Sequence, residues 1–129
     1  MALAYSTAIR NAMLDAITAA AGGSATLKFY DGTRPATGGT ATNLLATLTC
    51  NATFAPAASG GVLTLNAITG ANASATGTAT WARVATSGGT FCVDLNVGTS
   101  GSDLNMTSTS FVSGQPVAVS SFVITEGNP

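Results

Sequence analysis

Trp81-Ala82-Arg83-Val84-Ala85-Thr86-Ser87-Gly88-Gly89-Thr90-Phe91-Cys92-Val93-Asp94-Leu95-Asn96 is the clearest structural signal in the chain. Two alternating runs flank Ser87-Gly88-Gly89, and a period of two broken by a glycine turn reads as a β-hairpin. In the first run Trp81 and Arg83 share one side, with Thr80 and Ala82 on the other. In the second, Phe91, Val93 and Leu95 are expected to face one way. Asp94 then faces opposite to Val93, and a cross-strand pair with Arg83 would satisfy both charges.

The same period runs outward from this hairpin in both directions. Thr26 to Tyr30 alternates with Leu27 and Phe29 inward and Lys28 outward, until Asp31-Gly32 breaks the run. Leu44 to Cys50 places Leu44, Ala46, Leu48 and Cys50 on one face. Further strands are expected at Val62 to Ile68, across the whole of Thr76 to Ala85, at Leu104 to Thr107 and at Val117 to Thr125. Arg34 to Thr42, Pro56 to Gly61, Gly70 to Ala75, Gly98 to Ser102 and Ser113 to Pro116 read as loops or turns. Only the N-terminal segment has helical spacing. Ser6 or Thr7 can cap it, Ile9, Met13, Leu14 and Ile17 recur on one side, and Gly22-Gly23 ends it. Its apolar stripe is expected to cover the sheet of its own domain or an adjacent subunit.

The expectation is therefore a single domain over residues 1–129. A helix spans 6–21, and an all-β, antiparallel β-sandwich or jelly roll of seven to eight strands spans 25–126. No crossover helices separate the strands, which argues against a parallel α/β sheet. A chain of 129 residues can bury about two thirds of its unfolded surface without a metal or disulfide.

Composition narrows the function. The chain has four Lys or Arg, five Asp or Glu and no His, for a net charge of −1. Cations at 10, 28, 34 and 83 form no basic run, which argues against nucleic acid. So few charges give little protection from self-association, which points to a surface covered by neighbours. The apolar run Ala12 to Ala21 is interrupted by Asp15 and is shorter than the ~20 residues of a spanning helix. The N-terminus lacks the pattern of a secretion signal, so synthesis in a cytoplasm is expected. Cys50 and Cys92 have no metal-binding or redox spacing. They read as small buried hydrophobes, or as a disulfide formed in an oxidising medium.

Candidate sites are sparse, and no catalytic, metal or cofactor site is expected. Asp31, Asp94, Asp103 and Glu126 are isolated in sequence, whereas a glycosidase needs two carboxyls across one bond. Gly98 to Asp103 carries one carboxylate, too few for a calcium loop. Trp81 could stack on a sugar, but in a chain short of large residues it reads as the core anchor.

Several segments taken together resemble small structural proteins of tailed bacteriophages. They are Leu27-Lys28-Phe29-Tyr30-Asp31-Gly32-Thr33-Arg34-Pro35-Ala36, Leu44 to Leu48, Phe54 to Gly61, Ala75 to Arg83, Gly101 to Asn105 and Ser121 to Asn128. The resemblance is one of overall pattern over most of residues 25–128. It implies a non-enzymatic virion protein, a capsid decoration or cement protein. Such a protein would be made in the host bacterial cytoplasm and placed on the capsid surface, bound to the major capsid protein. It also implies a homo-oligomer, trimer or dimer, needing no cofactor, nucleic acid or membrane. The alternative is a phage tail or fibre module that binds a host-surface glycan through Trp81 and Asn and Thr side chains. A secreted enzyme relying on Asp94 is a third reading. For the decoration reading the expected contacts are Met1, Ala2, Leu3, Ala4 and Tyr5, with Arg34, Pro35 and Thr37 in the loop Arg34 to Thr42. Both segments are expected to be exposed and to order on binding.

Overall fold

A computed structural model describes residues 4–125. One helix, α1 (Thr7–Ala21), precedes eleven strands among the described residues. Ser6 caps the helix by accepting the Ile9 N–H at 3.2 Å. Gly22 closes it at φ 68, a left-handed conformation that glycine adopts without steric cost.

Five strands form the main sheet. They are β1 (Thr26–Tyr30), β2 (Leu44–Thr49), β6 (Trp81–Ala85), β7 (Phe91–Gly98) and β8 (Leu104–Asn105), in the order β2-β1-β6-β7-β8. The first four are antiparallel, whereas β8 joins β7 by a short parallel pairing of Val97 with Leu104 and Gly98 with Asn105. The remaining strands make three two-stranded ribbons. β3 (Val62–Thr64) pairs with β11 (Val123–Thr125), β4 (Ala71–Asn72) with β10 (Pro116–Val117), and β5 (Gly77–Thr78) with β9 (Ser110–Phe111).

This overturns the expectation of one antiparallel sandwich or jelly roll of seven to eight strands. The reason lies in runs that serve two sheets. Thr76 to Ala85 breaks at Ala79, whose N–H bonds to Thr109 at 2.9 Å, so its first part joins β9 and its second joins β1. Val117 to Thr125 divides likewise between β10 and β11. Ala71–Asn72 and Ser110–Phe111, too short to show alternation, complete the ribbons.

Two β-bulges alter the expected facing. Tyr30 pairs with Leu44 but Phe29 with Ala46, which leaves Leu45 as the extra residue. Val84 pairs with Val93 but Ala85 with Phe91, which leaves Cys92 as the extra residue. A bulge shifts the side-chain period by one, so Leu44 and Phe91 cross to the opposite face from their expected partners. Both are partly exposed, at 39% and 36%.

The core lies between one face of the main sheet and the ribbons. Leu27, Phe29, Ala46, Leu48, Ala82 and Val84 point into it, and Phe54, Leu63, Phe111 and Phe122 meet them from the other side. Phe29 and Phe111 pack edge to face with centroids 5.3 Å apart. Each such side chain removed from water contributes roughly 1.5–3 kcal/mol before entropy is counted.

The helix is attached in an unexpected way. Leu14 and Ala21 are buried and Ile17 packs on the core, but Ile9 is 50% and Met13 36% exposed. The inward side also carries the polar residues. Asn11 accepts the Gly61 N–H and Asp15 the Ala58 N–H, both at 2.8 Å. The Arg10 guanidinium lies directly over Gly61, whose φ of 76 favours glycine and where an added Cβ would have to displace it.

Candidate functional site

The other face of the main sheet carries a compact aromatic and charged cluster. Tyr30, Trp81, Arg83, Phe91 and Asp94 share this face because the β1–β6 and β6–β7 registers align them. Tyr30 and Trp81 stack with centroids 4.5 Å apart, and the Arg83 guanidinium carbon sits 5.2 Å from the rings of both Trp81 and Phe91. Opposite one another in register, Arg83 and Asp94 form a bidentate pair. Nε donates to Oδ1 at 2.7 Å and Nη2 to Oδ2 at 3.1 Å.

The segment 34–43 closes over this cluster. Gly38 N–H donates to Asp94 Oδ2 at 3.1 Å, Arg83 Nη2 donates to the Gly39 carbonyl at 2.8 Å, and Arg34 makes a long 3.4 Å contact to the Asp94 carbonyl. At the far end Trp81 Nε1 donates to the Asp31 carbonyl at 3.1 Å and to Thr42 Oγ1 at 3.0 Å. Thr42 Oγ1 donates to the same carbonyl, and the Asp31 carboxylate accepts the Asn43 N–H at 3.2 Å. Trp81 is sealed beneath this strap at 0% exposure.

The electrostatics follow from that closure. Burial opposes ionisation of Asp94, whose side chain is 3% exposed. The Arg83 and Gly38 hydrogen bonds and the nearby Arg34 charge outweigh it and hold the carboxyl below its ordinary range. The hydrogen bond to Asp94 raises Arg83 in turn, and burial raises the Tyr30 phenol. Both cysteines are free thiols. Burial pushes Cys50 up to about 11 and also raises Cys92.

The expected contact residues fall in two places. Met1, Ala2 and Leu3 lie outside the described residues, whereas Ala4 and Tyr5 are exposed just before α1. Arg34 and Thr37 are exposed and Pro35 is half-buried on the outer surface of the strap. The strap is already fastened in the free chain, so its order does not wait for a partner. Local sequence gave no sign of this, because Gly38 and Gly39 act through their backbone groups. The Asp31-Gly32 turn was visible, but not its closure onto Asn43.

The other described aspartates are also engaged. Asp103 Oδ2 accepts the Asn96 N–H at 2.9 Å, capping the outer edge of β7. With Asp15, Asp31 and Asp94, each described aspartate therefore receives a backbone N–H from a distant or looped segment. Among the described residues no three Cys, Asp or Glu side chains gather as a metal site, and no helix is long and apolar enough to cross a membrane. A groove of about 510 Å³ lies beside this β7 edge, lined by Asp94, Leu95, Asp103, Phe122 and Ile124 among others. Comparison with protein-family models, curated proteins and solved structures finds no match.

Proposed function

We propose that the chain is a non-enzymatic structural protein of a tailed-phage virion, a decoration protein that binds the major capsid protein. The phage assignment rests on the sequence resemblance over residues 25–128. The observation that carries the structural role is the use of all four described aspartates as backbone acceptors that fasten loops and elements. Charge here serves architecture, and the surface left for partners is largely uncharged Thr, Ser, Ala and Gly.

The strap supplies a preformed contact surface. Its exposed residues Arg34 and Thr37 are held from beneath by Asp94 and Arg83, so binding would cost little ordering entropy. Repeated over a lattice, individually weak contacts of this kind add through multivalency. The glycan reading loses its central group, since Trp81 has no exposed ring face to offer a sugar. Catalysis by Asp94 as a general acid is disfavoured by a carboxyl held ionised beside Arg83.

Co-sedimentation with undecorated phage heads, counting bound copies per capsid, tests the proposal. Saturation at a ratio fixed by the lattice is expected, and Arg34→Ala with Thr37→Ala should weaken binding about tenfold, the scale of one lost polar contact. Folded protein that fails to bind heads would refute the decoration role.

A further inference from the structure

The helix α1 carries its polar residues on the inward side, beside the buried Leu14 and Ala21, and leaves an apolar face outward. Past Thr7, every polar residue in it (Arg10, Asn11, Asp15 and Thr18) is half-buried on the inward side. Asn11 and Asp15 hold backbone N–H groups of the 58–61 turn there. The outward side carries Ile9, Ala12, Met13, Ala16, Ala19 and Ala20, all exposed. At 3.6 residues per turn these form one contiguous face with no charge and no hydrogen-bonding side chain. A solvent-facing helix normally reverses this arrangement.

Side-chain size along the face identifies its occupant. The large residues Ile9 and Met13 lie in the N-terminal half, and only alanines, Ala16, Ala19 and Ala20, lie in the C-terminal half. Two copies related by a two-fold axis at the level of Leu14 and Asp15 would run antiparallel, setting Ile9 opposite Ala20 and Met13 opposite Ala16. The Ile9–Met13 ridge of each would then enter the alanine furrow of the other. A parallel pairing would set ridge against ridge. Antiparallel packing also opposes the two helix dipoles favourably. A membrane surface fits poorly, since Arg10, the one cation of α1, is half-buried with its guanidinium turned onto Gly61.

We infer that α1 is a self-association surface through which a second copy of this chain docks as an antiparallel, two-fold helix pair. The inference stands independently of the capsid reading. One helix face falls short of the ~800 Å² per partner of a standard interface, so the dimer is a reversible one.

Sedimentation velocity of the full chain from about 1 µM to about 1 mM tests it, since small interfaces dissociate in that range. The expected result is a concentration-dependent shift from monomer to dimer. Ala16→Arg and, separately, Ile9→Lys should abolish the shift with unchanged circular dichroism and Tm, because both positions are exposed. In a Cys92→Ser background, Ala16→Cys should cross-link to its own counterpart under mild oxidation, and Ala20→Cys should not. A chain that stays monomeric throughout, or dimers that survive both charged variants, would overturn the inference. So would efficient self-linking at position 20, which only the parallel arrangement permits. Loss of head binding with the dimer intact would count against the decoration role alone.

Discussion

Asp94 joins three parts of the chain through one carboxylate, on β7, on β6 at Arg83, and on the strap at Gly38. Its removal by Asp94→Ala strands a largely buried guanidinium, for which a loss of about 3 kcal/mol is expected. In a chain of this length that lowers Tm by about 10 °C, readable by calorimetry. The pair Arg83→Met with Asp94→Leu should recover much of the loss, because no unpaired charge remains. The pH dependence has a definite sign. Since the folded-state carboxyl lies below the ordinary value of 3.8, its stabilisation is present in full above that value. It is lost as pH falls through the depressed folded value, and it leaves the neutral range flat. The urea midpoint should therefore fall less steeply from neutral to acid pH in Asp94→Asn than in the parent. Equal slopes would mean that the carboxylate is not held as described. The thiols give a second check at this scale. Cys50 is 3% exposed and Cys92 half-buried, so a native-state thiol assay should detect Cys92 alone, and both after denaturation. The Arg83–Asp94 pairing was legible in the sequence because alternation on neighbouring strands puts both on one face. The Gly38 and Gly39 partners were not, since a glycine's backbone groups leave no signature of what they bind.

At the scale of elements, alternation located the strands but missed the two places where it fails. A bulge needs only one extra residue, and Leu45 and Cys92 are apolar residues within apolar runs. Nothing local distinguishes them from ordinary strand positions, yet each reverses the residue before it. Phe91 thereby comes to lie under the strap, close against Gly38, and completes the box around Arg83. The helix was legible in its caps and length but not in its orientation. Its periodic apolar residues suggested one buried stripe, whereas the structure divides them, with Leu14 and Ile17 inward and Ile9 and Met13 outward. The polar anchors settle that division. Asp15→Ala should destabilise the chain by about 1.5 kcal/mol through loss of the acceptor for the Ala58 N–H. Asp15→Asn keeps a carbonyl oxygen at the same place and should lose much less. If both variants cost the same in urea unfolding, the anchor acts through charge and the hydrogen-bond account fails.

At the scale of the molecule, the distribution of strands among sheets decides how stability is shared. β1 and β6 are central in the main sheet, bonded on both sides, with the hydrophobic core against one face. The β4–β10 and β5–β9 ribbons contain two residue pairs each and lie apart from that ladder. Opening a short ribbon breaks few hydrogen bonds and frees one large core side chain, Phe111 on β9 or Val117 on β10, whereas freeing β1 requires dismantling the core. The sequence could not forecast this partition, because which sheet a strand joins depends on long-range pairing that alternation does not encode. Native-state hydrogen exchange should separate the two groups. Amides within β1 and β6, such as those of Leu27 and Val84, should exchange only through global unfolding and slow with every increment of global stability. Amides of Ala71, Gly77 and Ser110 should exchange through local openings several kcal/mol less costly, insensitive to mutations that alter the main sheet. The Asp94→Ala variant sharpens the contrast, since it should accelerate the β1 and β6 amides and leave the ribbon amides unchanged. Uniform acceleration would instead mean that ribbons and sheet open as one cooperative unit, with the ribbons drawing their stability from the shared core of Phe29, Phe111 and Phe122.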